Sequence, residues 1–275
     1  MTTLSDFLTI IITTSPIKSH PSTDVIDQVI ESFNLIDELN DCKKIIICDG
    51  YQIISNNRYK SGKINQEVAT NYELYIESIT DKYENSEIIK RESRYGFAEN
   101  VRYALELVRT EYVIIIQHDQ IFLRKIDFKD IINMMRRYNN INYINFLSLQ
   151  TVNYEAKLIS RYNTFYEEYK KESDLCGLSI MPLLFWYDKP HICRTSYYKD
   201  YVFLQKHLIL KTKKRISVKN FIEDSFGQVV KENIKIGGYE EFNKYNSFLY
   251  YDDPDNPAIA HIDGRTYDLK YKVKI

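Results

Sequence analysis

Residues 113–122 read VIIIQHDQIF. Four apolar side chains, Val113 to Ile116, stop at Gln117-His118-Asp119-Gln120 before Ile121 and Phe122 resume. A strand that is apolar at consecutive positions is buried on both faces, the condition of a parallel sheet covered by helices. A carboxylate and an imidazole are costly in such an interior. They have a place at the carboxyl end of the strand, where open α/β sheets bind their ligands. The stretch is therefore read as a core strand that ends at a ligand, against the plainer alternative of a strand leaving into solvent.

The same pattern recurs upstream. FLTIIITTS (7–15) and KKIIICDGY (43–51) are apolar runs ending in hydroxyls or in a carboxylate and a glycine, and EIIKRES (87–93) reads as a further strand. Between them lie helical spacings. Ser22 or Thr23 is placed to cap a helix carrying Val25, Ile26, Val29, Ile30, Phe33 and Ile36 on one side. A second helix is expected near 64–83. GFAENVRYALELVRT opens a third, with Phe97, Val101, Ala104, Leu105 and Val108 on one face, and DFKDIINMMRRY a fourth. Alternating strands and helices predict an α/β fold with a mostly parallel central sheet flanked by helices. One rim of that sheet should carry Thr13-Thr14-Ser15, Asp49-Gly50, Arg94 and Gln117-His118-Asp119.

The second half is less regular. Strands are expected at 141–150 and around 176–187, a helix near 196–210, a short strand leading into a helix within 215–234, and a strand-like end to the tail. No repeat, linker or low-complexity tract divides the 275 residues, so one domain is expected.

The 37 basic and 38 acidic side chains nearly cancel, which argues against nucleic acid as a partner. Lys211-Thr212-Lys213-Lys214-Arg215 reads as a solvated turn. Cys42, Cys48, Cys176 and Cys193 lack metal or redox spacing and read as buried thiols of a reducing compartment. FLTIIITT is too short for a membrane span, and no basic region precedes it. A cytoplasmic protein with no transmembrane segment is expected. No GxGxxG, GxxxxGK[ST] or GxSxG occurs, which sets aside a dinucleotide cradle, a P-loop and a hydrolase elbow.

What remains is the QHD strand end, the acidic pair of IED (222–224) and a late HIDGR (261–265). With these, TTSPIKSHPST, IICDGY and RYGFAENVRYAL, the chain resembles the nucleotide-diphospho-sugar glycosyltransferases of the GT-A fold, in particular their family-2-like group. The resemblance covers residues 7–135 by element order and strand ends, and 220–265 by two short motifs only. It implies a Rossmann-like GT-A domain over 1–275, with a nucleotide-sugar-binding half (1–135) and an acceptor-binding half (136–275). It also implies a metal-dependent, inverting glycosyltransferase of the hexosyl- or deoxyhexosyltransferase class. The donor would be a UDP- or GDP-linked sugar, the acceptor a hydroxyl such as that of a glycan, and the cofactor Mn²⁺ or Mg²⁺.

Site residues follow by motif. A divalent cation held by carboxylate oxygen neutralises a diphosphate and stabilises it as leaving group. Asp119 is the sole carboxylate of its trio and the expected metal ligand. Gln117 stands where the family carries its first Asp; it supplies no charge but can hydrogen-bond ribose or phosphate. His118 is expected to face the sheet or the ribose pocket. His261 is the expected compensating ligand, against the alternative of an ordinary structural histidine. Asp263 and Arg265 are close enough in sequence to reach the diphosphate. Thr13, Thr14, Ser15, Pro16 and Asp49 are expected to hold the base, with Arg94 and Asn100 nearby. Asp224 is the expected general base and Glu223 its orienting partner; the alternative is an acidic pair complementing a helix dipole. Trp186, beside Phe185 and Tyr187, is either core or an acceptor floor.

Two other functions compete. A degenerate member that binds nucleotide sugar or glycan without transfer would account for Gln117. A sugar-1-phosphate nucleotidyltransferase shares the topology but needs a glycine-rich loop after the first strand, and TTSPIKSHPS has no glycine.

Overall fold

The computed structural model describes residues 3–55, 62–173 and 178–262. In chain order the first half runs β1 (Leu8–Thr14), α1 (Asp24–Ser32), β2 (Lys43–Cys48), β3 (Gln52–Ile53), β4 (Lys63–Ile64), α2 (Gln66–Lys82), β5 (Ser86–Lys90), α3 (Phe97–Leu105), β6 (Tyr112–Gln117), β7 (Gln120–Phe122) and α4 (Phe128–Arg137). The second half adds β8 (Tyr143–Phe146), α5 (Tyr154–Ser173), β9 (Ile180–Pro182), β10 (His191–Arg194), β11 (His207–Ile209), β12 (Lys214–Ile216), α6 (Gln228–Tyr245), β13 (Ser247–Tyr250) and β14 (Ile259–His261).

Eight strands form one sheet in the order β5-β2-β1-β6-β10-β8-β13-β9. β5, β2, β1 and β6 are mutually parallel, with Ile12 opposite both Ile46 and Ile116. β10 lies antiparallel between β6 and β8, and β13 is parallel to β8. Every residue of β1 is buried, as are all of β6 before Gln117. That is the two-sided burial that consecutive β-branched residues require. The α/β layering and the mostly parallel sheet are those read from the sequence.

Helix ends follow local chemistry. Asn65 accepts the Val68 N–H (2.9 Å) at the start of α2, and Asp127 the Asp130 N–H (3.0 Å) at the start of α4, each satisfying a donor the helix cannot. Ahead of α1 it is the Ser22 hydroxyl that accepts the Asp24 N–H (3.1 Å).

Three expectations for the second half change. The stretch 154–173, not read as an element, is helical with a break at Tyr162 (φ −145°, ψ 43°). The expected strand at 176–187 reduces to Ile180–Pro182, which pairs with β13. The expected helix near 196–210 is a π-helical turn, Tyr197–Phe203, followed by strand β11. Cys42, Cys48 and Cys193 are buried free thiols. Cys176 and the tail from 263 onward, with its expected strand, lie outside the described residues. No helix among the described residues is long and apolar enough to cross a membrane.

Candidate active site at the strand rim

Because β5, β2, β1 and β6 run parallel, their carboxyl ends share one rim. The register sets Thr13 beside both Ile47 and Gln117, and Thr14 beside Cys48. The rim predicted from strand-end residues is therefore present. What each side chain does there is more varied.

Asp49 follows β2 and is buried. Its Oδ1 accepts the Tyr95 N–H (2.8 Å) and its Oδ2 the Gly96 N–H (3.0 Å). The carboxylate thus fastens the loop entering α3, and each oxygen keeps a lone pair for a ligand. Gly96 sits at φ +83°, a conformation glycine adopts without steric cost. At Gly50 the cause is contact: a Cβ there would lie 2.4 Å from the Ser93 carbonyl carbon. Arg94 is exposed, and its side chain lies over Gly62, where an added Cβ would meet Arg94 Cδ at 2.4 Å. Asn100 is buried in α3, and among the described residues its Oδ1 has no partner.

The loop after β1 turns partly inward. Thr14 Oγ1 lies 2.7 Å from His118 Nδ1 and 3.2 Å from the Tyr75 hydroxyl. The Ser15 N–H also points at His118 Nδ1 (3.3 Å), which makes that nitrogen the acceptor and places the ring proton on Nε2. The chain of donation then runs Tyr75 to Thr14 to His118. Burial holds the His118 pKa below the ordinary imidazole value. His118 is therefore a neutral, inward-facing residue, held by the Thr14 hydroxyl. Thr13 and Pro16 are buried and Ser15 is half-buried. His20 stacks on Tyr75 (4.0 Å between ring centroids), and burial lowers its pKa to about 3. Sequence reasoning missed His20 and Tyr75.

Asp119 and His261 come together. β14 pairs with β7 so that His261 lies opposite Gln120, and the Ile262 N–H donates to the Asp119 carbonyl (2.7 Å). His261 Nε2 lies 3.0 Å from Asp119 Oδ2, while Asp119 Oδ1 is buried without a partner among the described residues. Burial pushes the Asp119 carboxyl up, the His261 hydrogen bond opposes it, and the net pKa is lowered. Among the described residues no group of three His, Cys, Asp or Glu side chains is arranged to hold a metal. Two donors still suit a cation that takes its other ligands from phosphates and water, and adjacent ligands of an octahedral ion at about 2.1 Å lie about 3 Å apart. Asp119 Oδ2 and His261 Nε2, 3.0 Å apart, fit that role. Asp263 and Arg265 lie outside the described residues.

Gln117 is tied across the rim. Its Nε2 donates to the Asp188 carbonyl (3.0 Å). Asp188, which sequence reasoning missed, ties the rim to IED. Its N–H donates to Glu223 Oε2 (3.1 Å), and its own Oδ2 accepts the Glu223 N–H (3.2 Å). Asp188 Oδ1 is buried without a partner among the described residues. Burial, together with the Glu223 charge, raises the Asp188 pKa well above its ordinary value. Asp224 is exposed beside this pair, at the start of a π-helical segment, Glu223–Gly227, that runs into α6. π-Segments often mark functional positions.

Lys189 follows Asp188. Burial depresses its pKa to about 8, and its Nζ reaches Ser148 Oγ (2.8 Å) and Gln150 Oε1 (2.6 Å). Trp186 is 1% exposed, with its ring 4.0 Å from that of Tyr143. It is core, and the acceptor-floor reading does not hold for it. Its half-buried neighbours Phe185 and Tyr187 pack edge to face at 4.8 Å. No local pattern could have paired Asp188 with Glu223, because the two motifs stand 35 positions apart.

No family model and no curated protein matches the chain. Solved structures similar to it include S. aureus TarS, at 12% identity and a TM-score of 0.44, covering 82% of this chain and 33% of that one. TarS 1-349 in complex with UDP-GlcNAc aligns at 14% identity and a TM-score of 0.42, over 78% of this chain and 56% of that one. The mannosyltransferase PcManGT from Pyrobaculum calidifontis, in complex with GDP-Man and Mn²⁺, aligns at 10% identity and 0.42, over 70% of this chain and 45% of that one. The chain thus spans from a third to just over half of the length of these proteins.

Proposed function

We propose that the chain is a GT-A-type glycosyltransferase that moves a sugar from a UDP- or GDP-linked donor to a hydroxyl acceptor such as a glycan. The observation that carries this reading is Asp119 with His261 at the end of β6, on the rim where parallel sheets bind ligands. Asp119 and His261 would hold Mn²⁺ or Mg²⁺, which when bound supplies positive charge to the diphosphate. Asp49 and the 13–16 loop would border the base. Asp224, exposed and tied through Glu223, Asp188 and Gln117 to the end of β6, would accept the acceptor's hydroxyl proton. The acceptor oxygen then bonds the anomeric carbon from the face opposite the phosphate, the sugar–phosphate bond breaks, and the nucleoside diphosphate leaves with the electron pair. That stereochemistry is inversion.

A second reading, binding of nucleotide sugar or glycan without transfer, is favoured by Gln117, whose amide is committed to the Asp188 carbonyl. Calorimetry with UDP, GDP, UDP-GlcNAc and GDP-mannose, with and without Mn²⁺, followed by transfer assays against glycan acceptors, tests both. Metal-assisted donor binding with transfer supports the enzyme. Binding without any turnover supports the second reading, and no binding of either nucleotide or of the glycan acceptors overturns both.

A further inference from the structure

Residues 201–222 hold six basic side chains, Lys206, Lys211, Lys213, Lys214, Arg215 and Lys219, and no acidic one, in a chain whose formal net charge is −1. They fall on and beside the β11–β12 hairpin, where His207 pairs with Ile216 and Ile209 with Lys214. All six are exposed. Among the described residues none of them forms an ion pair with a carboxylate, although Lys43, Lys82, Lys90, Lys125 and Lys129 each do. Unpaired cations held on one short hairpin, about 10 Å long for three residues, repel one another and gain from an anionic surface.

Apolar side chains flank these charges. Leu204, two residues before Lys206, is 78% exposed. On α6, Asn233 binds the Leu208 carbonyl (2.7 Å) and the Leu210 N–H (2.9 Å). One helical turn further along, Ile236 is 55% exposed. Aliphatic groups beside a basic cluster are what an interfacial anchor needs: charge to approach anionic headgroups and apolar surface to enter them. A single-stranded nucleic acid would instead call for open aromatic stacking platforms, and the one exposed aromatic ring within residues 201–222, Phe221, is stacked on Phe97 (5.8 Å).

We propose that the β11–β12 hairpin, with Leu204 and Ile236, is a docking surface for an anionic lipid bilayer. The same stretch continues to the rim. The Asn220 carbonyl accepts the Ala98 N–H (2.8 Å), Phe221 stacks on Phe97 (5.8 Å), and Glu223 reaches Asp188 (3.1 Å). A docked bilayer is thus joined to the candidate site by a few residues of ordered chain. The docking itself does not depend on the transferase reading.

The test is sedimentation of the whole chain with vesicles of phosphatidylcholine alone and with added phosphatidylglycerol, at low and high salt. Binding should occur on the anionic vesicles, not the neutral ones, and should fall with salt. Each Lys near such a surface is worth about fivefold in partitioning, so K211Q/K213Q/K214Q should bind roughly 100-fold more weakly. Leu204→Ser should weaken vesicle binding severalfold while leaving any binding of soluble polyphosphate unchanged. All these positions are exposed, and unchanged unfolding midpoints verify the fold. No binding to anionic vesicles at low salt, or native-like binding by the triple variant, overturns the proposal. So does polyphosphate binding as tight as vesicle binding with Leu204→Ser indifferent, which would identify a soluble polyanion site instead.

Discussion

Asp188 and Glu223 each donate a backbone N–H to the other's carboxyl group, at 3.1 and 3.2 Å. The exchange closes a ring between the loop before β10 and the start of the π-helical segment, and Gln117 joins it to the end of β6 through the Asp188 carbonyl. This ring links IED to the end of β6.

Asp188→Asn keeps an acceptor for the Glu223 N–H and should preserve the fold. Asp188→Ala leaves that donor unpaired and should cost about 1–3 kcal/mol in urea unfolding. The pH dependence differs as well. Because the folded pKa is raised, the folded state holds the proton more tightly, so this group's stabilisation is present below the unfolded pKa and fades as pH rises toward the folded value. Asp188→Asn should therefore lose less stability than the native chain above about pH 4. Parallel stability–pH curves would rule out a raised Asp188 pKa.

Asp119→Ala should abolish Mn²⁺-dependent nucleotide binding by calorimetry with the fold intact. His261→Ala should weaken it by roughly 10–100-fold. Retention of full metal-dependent affinity in Asp119→Ala would remove the pair from the site.

Asp49→Asn puts an amide where two backbone N–H groups converge. One of them faces a donor instead of an acceptor, so the change should cost about 1–3 kcal/mol of stability. It should also lower nucleoside-diphosphate affinity with or without metal. A loss of affinity confined to the metal-bound state would move Asp49 to the phosphate side.

Gly50→Ala should be destabilising by about 1–3 kcal/mol, because its Cβ would press on the Ser93 backbone, which cannot swing aside as a side chain can. Thermal unfolding measures this, and a native-like midpoint would show that the 91–96 loop yields.

Asp224→Asn should bind donor almost normally and transfer sugar about 10²–10⁴ times more slowly, as expected for a lost general base. Glu223→Gln should be milder. Near-normal turnover in Asp224→Asn, or a retained anomeric configuration in the product, would make the acidic pair a helix start only.

The sequence alone determined the first four strands of the sheet, their covering helices and the polar rim. Each rests on a local period or an abrupt apolar-to-polar boundary such as Ile116 to Gln117. Helix α5 escaped because YEAKLISRYNTFYEEYKKES is mostly polar and breaks at Tyr162, so no apolar stripe announces it. Tertiary structure alone decided which rim residues meet. Gln117, read as a ribose or phosphate contact, turns to a carbonyl 71 positions away, and Thr14 turns to His118. Asp119 finds His261 across 142 positions because β14 pairs with β7. Motif position could name His261, but only strand pairing sets its imidazole against Asp119, since hydrogen bonds between distant segments depend on a register that side-chain periodicity does not encode.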